Sequence, residues 1–106
     1  MVIELDKQNF DEEVLQAEGV VMVDFYSPNC EPCSELKPDI EEIAEKYQGN
    51  IKFCALDISK NRRLAINQKV LNLPTIVFYQ DGEKVSTLTG EDLEPEEIEE
   101  EVQKFA

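Results

Sequence analysis

Seven residues, Val20 to Tyr26, are apolar apart from Asp24, and just beyond them the chain carries two cysteines as Cys30-Glu31-Pro32-Cys33 at the start of a helical pattern. A run this rich in β-branched and aromatic residues reads as a buried strand, whereas Leu36, Ile40, Ile43 and Tyr47 fall on one helical face. The cysteines therefore stand at a strand-to-helix junction, in a chain that must lay helices on a sheet. Backbone N–H groups at a helix start carry partial positive charge and stabilise an anion, so a cysteine there ionises more easily than a free thiol at ~8.5. Cys30 is the expected nucleophile.

The rest of the chain extends the same alternation. Val2 to Leu5 reads as a short strand, and Asp6 as the cap of a helix whose Phe10, Val14 and Ala17 share a face and which closes at Gly19. After Cys33 a helix containing Pro38, which removes a backbone donor and should kink it, runs to near Gly49. Ile51 to Ile58 follows as a strand and Asn61 to Val70 as a helix. Thr75 to Gln80 and Lys84 to Thr89 are strands around Asp81-Gly82, a hairpin signal, and Pro95 opens a last helix. The order β-α-β-α-β-α-β-β-α fits an α/β mixed sheet of about five strands with helices on both faces. No repeat, linker or composition break divides it, so residues 1–106 are expected to form one domain.

Composition narrows the function. Ten basic against twenty-four acidic residues give a net charge of −14, which opposes binding to nucleic acid or an anionic membrane surface and favours partners with basic patches. Met1 leads directly into a strand, with no basic segment, no long apolar stretch and nothing near the ~20 apolar residues of a membrane span, so a cytoplasmic location is expected. Three cysteines, two of them closely spaced, argue for a redox pair plus one free thiol rather than a secreted disulfide framework. With no histidine in the chain, His-based acid–base catalysis and Cys/His zinc sites are excluded, and no metal is expected. Cys54, alternating with its neighbours in a strand, reads as a buried apolar residue, and the glutamates of 91–101 as a solvated helix face.

Asp24-Phe25-Tyr26, Cys30-x-Pro32-Cys33, Pro38, Leu73-Pro74-Thr75, Gly82 and Gly90 together make the chain resemble the thioredoxin family over essentially its whole length. The resemblance implies the thioredoxin fold. It also implies that Cys30 attacks a substrate disulfide, that Cys33 resolves the mixed disulfide, and that Pro74 is a cis-proline lying against the pair. Proline is the residue type in which a cis bond costs least. The family's buried carboxylate maps to Asp24, whose place in an apolar strand is costly without a use or a partner. Desolvation raises its pKa, so it can take the Cys33 proton and hand it on; the alternative is a core aspartate that holds the strand end.

By the same resemblance Asn29, Glu31, Pro32, Leu73, Thr75 and Gly90 receive an extended substrate segment. The implied function is a dithiol–disulfide oxidoreductase that reduces partner proteins and is itself re-reduced by a thioredoxin reductase. It stores its two electrons in the Cys30–Cys33 bond without a cofactor and works as a monomer. The competing reading is a dedicated electron-transfer or binding partner of one reductase complex, with little general activity.

Several positions depart from the family pattern. Asn29 and Glu31 replace tryptophan and glycine, Ser34 replaces a basic residue, and Ala55 stands where a lysine commonly accompanies the buried aspartate. Glu31 puts a negative charge near the Cys30 sulfur, worth on the order of 1 kcal/mol against the thiolate. It should raise the Cys30 pKa and make the couple more reducing; if its side chain points into solvent the effect is small. Glu31→Gly is therefore expected to speed alkylation of Cys30 by iodoacetamide near pH 7, by roughly fivefold. An unchanged or slower rate would remove Glu31 from the control of thiolate formation.

Overall fold

The computed structural model describes all 106 residues. Five strands, β1 (Val2–Leu5), β2 (Val20–Tyr26), β3 (Ile51–Asp57), β4 (Thr75–Gln80) and β5 (Glu83–Thr89), form one mixed sheet in the order β1-β3-β2-β4-β5. β2 is central, parallel to β3 and antiparallel to β4. Strands buried on both faces read as nearly continuous apolar runs, and Val21 to Phe25 are all buried.

Two apolar clusters sandwich the sheet. On one face Val21, Val23 and Phe25 pack with Phe10, Val14, Cys54, Leu56, Ala65 and Tyr79. On the other, Met22, Phe53, Ile76 and Phe78 pack with Leu36, Ile40 and Ile43 of α1 (Glu31–Tyr47) and with Ile98 and Val102 of α3 (Pro95–Phe105). Helices thus lie on both faces, as the alternation of patterns requires.

Two helices are shorter than their patterns suggest. The segment after β1 is a π-helical turn, Asp11–Leu15, in which Gln16 N–H bonds to the Asp11 carbonyl at 2.8 Å. Asp6 does cap its approach, its Oδ1 accepting from the N–H groups of Gln8 and Asn9 at 2.8 and 3.0 Å. The turn does not continue to Gly19; it ends at Leu15, whose carbonyl lies close to Gly82 of the β4–β5 turn. The second short helix, α2 (Arg62–Asn67), stops well before Val70. Lys69 adopts a φ of +63°, its N–H bonds to the Ile66 carbonyl at 2.9 Å, and Val70 N–H bonds to the Ala65 carbonyl at 3.0 Å. Those two bonds define a Schellman ending, made here without glycine and sealed by Ala65 and Val70 in the same core cluster.

The β4–β5 turn has positive φ at both Asp81 (+51°) and Gly82 (+86°), as a two-residue type I′ turn requires. Asp81 ties the hairpin to the start of β2: its N–H bonds to the Gly19 carbonyl at 2.9 Å and its Oδ1 accepts from Gly19 N–H at 2.8 Å. A Cβ at Gly82 would collide with the Leu15 carbonyl, whereas one at Gly49, whose φ is also positive, would meet nothing. Gly82→Ala is expected to destabilise by about 2–3 kcal/mol and Gly49→Ala by about 1 kcal/mol in urea unfolding. Equal losses at the two positions would mean that the Leu15 contact carries no weight.

Candidate active site

The C-terminal end of β2 delivers the chain through Ser27–Asn29 into the first turn of α1. Cys30 is the N-cap residue, with extended backbone, and its Sγ accepts the N–H of Cys33 at 3.3 Å. Sulfur takes the place that a serine or aspartate oxygen would fill at a helix start, so the free N–H of Cys33 is directed at it. Glu31 and Pro32 fill the next two positions; proline fits because the N–H it lacks would have no helical partner. Cys30 N–H bonds to the Ser27 carbonyl at 3.0 Å, and Ser34 N–H to the Cys30 carbonyl at 3.1 Å.

The two cysteines form a disulfide with their Cα atoms 5.3 Å apart, in the normal range for such a bond. Cys30 is half-buried while Cys33 is only 4% exposed, so one sulfur faces solvent and the other the interior. Cys54 remains a free, buried thiol, and burial pushes its pKa up to about 12. That environment keeps it protonated and inert near neutral pH.

Asp24 lies on the sheet face covered by α1, as its alternation with the core residues Val23 and Phe25 of the opposite face dictates. It is 6% exposed and has no cation within 4 Å. Burial is the main cause of a pKa raised from 3.8 to about 7; Lys37 pulls it down and Glu4 pushes it up. A cleft of about 560 Å³ opens onto the carboxyl and also touches Cys33, Ser34, Tyr26 and Ala55. Asp24 and Cys33 thus border one space large enough to hold water.

The Leu73–Pro74 bond is cis. Thr75 pairs with Phe25 on one side and Thr89 on the other, so Pro74 and Gly90 sit level with the end of β2 from which the cysteine loop emerges. Gly90 N–H donates to the Pro74 carbonyl at 3.2 Å, Thr89 Oγ1 donates to the same carbonyl at 3.2 Å, and Thr75 Oγ1 donates to the Asn72 carbonyl at 2.5 Å. Leu73, Thr75 and Gly90 are thereby brought together, while Asn29 and Glu31 are exposed at the mouth of α1 with Pro32 half-buried beside them.

Sequence reasoning did not single out Glu4, Lys37 or Glu41, which line the same cleft. Tyr26 borders that cleft, and its hydroxyl donates to Glu4 Oε2 at 2.8 Å. The available signals were a lone acid in the strand-like 2–5 segment and a lysine four residues after Cys33, one helical turn along the same face.

No helix is long and apolar enough to cross a membrane. The thioredoxin family model matches residues 1–104. The thioredoxin of Acetoanaerobium sticklandii is 50% identical over 104 residues, covering 98% of this chain and 99% of that protein. That of Peptoclostridium acidaminophilum is 49% identical over 98 residues, covering 92% and 89%. Among solved structures, a mutant thioredoxin from Halobacterium salinarum superposes with a TM-score of 0.85 at 28% identity, over 97% of this chain and 88% of that one. The dithiol at a helix start, the five-stranded mixed sheet and these likenesses agree: the chain belongs to the thioredoxin family of dithiol–disulfide oxidoreductases.

Proposed function

We propose that residues 1–106 act as one cytoplasmic, monomeric domain that reduces disulfides in partner proteins and is re-reduced by a thioredoxin reductase. The observation that carries this reading is the unequal pair at the head of α1: a half-buried Cys30 whose sulfur accepts the Cys33 N–H, and a buried Cys33 beside the Asp24 cleft. The Cys30 thiolate attacks one sulfur of the substrate disulfide, forming a mixed disulfide and releasing the first substrate thiolate. Cys33 Sγ then attacks Cys30 Sγ; the Cys30–Cys33 bond forms, the mixed disulfide breaks and the second substrate thiolate leaves. Two electrons pass to the substrate. Asp24 takes the Cys33 proton through water in the cleft and returns it to solvent, while the departing thiolates are protonated from solvent.

Asn29, Glu31, Pro32, Leu73, Thr75 and Gly90 would line the groove that receives the substrate, with Pro74 holding its edge. The exposed Glu31 and the net charge of −14 favour substrates with basic flanks. The same acidic surface also suits a dedicated partner of one complex. Insulin reduction driven by dithiothreitol separates the two readings: steady turnover that vanishes in Cys30→Ser is expected, and failure to reduce insulin would favour the dedicated partner.

Asp24→Asn tests the proton acceptor. A base with a pKa of about 7 suits proton transfer near neutrality, so its loss is expected to slow mixed-disulfide resolution roughly tenfold or more at pH 7–8, with Cys30 alkylation nearly unchanged. Equal resolution rates from pH 6 to 9 would exclude that role. Stability moves the other way. Between the unfolded value of 3.8 and about 7 the native state holds a proton that the unfolded chain has lost, so stability falls as pH rises through that window. The Asn variant escapes this loss. It is expected to be more stable than wild type above pH 7, by on the order of 4 kcal/mol, and to have no advantage near pH 3.

A further inference from the structure

On the sheet face beneath α1, Glu4, Ala55 and Asp24 stand in a row, because Glu4 pairs with Ala55 across β1–β3 and Ala55 with Asp24 across β3–β2. Only a methyl group separates the two carboxyl-bearing positions, and Ala55 forms part of the cleft lining. Among the lining residues Lys37 is the one cation. It lies on α1 one turn beyond Cys33, and its Nζ is 5.8 Å from the centroid of the Tyr26 ring. The hydroxyl of that ring bonds to Glu4 at 2.8 Å, so the two exposed charged residues flank Tyr26 at the edge of the cleft. The charged and titratable groups facing Asp24 are therefore Glu4 from β1, Tyr26 from β2, and Cys33, Lys37 and Glu41 from α1; β3 and β4 contribute the uncharged Ala55 and Ile76 opposite it.

We propose that Lys37 is a positioning residue for the redox reaction: anchored over Tyr26, its ammonium acts across the cleft to keep Asp24 available as a carboxylate for the Cys33 proton, and Glu4 opposes it. The inference rests on the proton-acceptor reading of Asp24 given above. Its electrostatic sense agrees with the opposing pulls of Lys37 and Glu4 on the Asp24 carboxyl. The separation from Asp24 exceeds 4 Å, so this is attraction across a wet cleft rather than a contact pair.

The test is the pH titration of the Asp24 carboxyl by carbon-13 NMR, with the pH profile of mixed-disulfide resolution, in wild type, Lys37→Met, Lys37→Arg, Glu4→Gln and Asp24→Asn. Lys37→Met keeps the aliphatic stem and removes the charge; both midpoints are expected to rise by about half a pH unit. Lys37→Arg should restore the wild-type midpoints, and Glu4→Gln, which can still accept from Tyr26, should lower them. A carboxyl midpoint unmoved by Lys37→Met, or moved equally by Lys37→Arg, overturns the proposal. Failure of the underlying reading looks different: Asp24→Asn would then leave the resolution profile unchanged. If Asp24→Asn flattens that profile while Lys37→Met shifts nothing, Asp24 keeps its role and Lys37 loses its own.

Discussion

The pairing of β2 on both sides is the constraint on which the rest of the molecule depends. Because β3 and β4 saturate its backbone and helices cover both faces, its direction is fixed, and with it the point where the chain turns into α1. The N-cap position of α1 can then hold a sulfur in one orientation. The same strand carries Asp24 to the underside of that helix, so the thiols and the carboxyl owe their relation to one run of residues. β4 adds the third part: its antiparallel register with β2 brings Pro74 and Thr75 to the same end of the sheet.

Opposed charges act on this fixed frame at short range. The helix start and the Cys33 N–H favour negative charge on Cys30, while Glu31, next in the chain, is exposed, the arrangement in which its opposition is small. Asp24 is held near its neutral form mainly by burial, and Lys37 and Glu4 pull on it from opposite signs. The buried carboxyl costs native stability above neutral pH.

Features written in short stretches of chain were legible in the sequence. The apolar run of β2, the cysteine pair, the Asp-Gly turn and the apolar face of α1 each depend on neighbours a few positions apart, and each stands where the sequence places it. The ending of α2 was not legible, because Lys69 takes a left-handed conformation usually given to glycine and is held there by Val70 packing on Ala65. The π-helical turn also escapes a local reading, since it ends where the Leu15 carbonyl meets the distant Gly82. The cleft was least visible of all. Glu4, Ala55 and Asp24 lie on three strands, and only the sheet register puts them in one row.

An overall charge of −14 would suppress every thiolate in such a protein if all its carboxylates acted equally, yet distance decides otherwise. At physiological ionic strength the screening length is about 8 Å, so an exposed carboxylate farther than that from the cysteines acts on them only weakly. The charges nearest the cysteines are those at the helix start and those lining the cleft. The remote acids act instead on what approaches, through the long-range field that steers a partner before contact. A carboxylate's distance from the cysteines thus decides which of these two effects it can have, and Glu31 is both exposed and adjacent to Cys30.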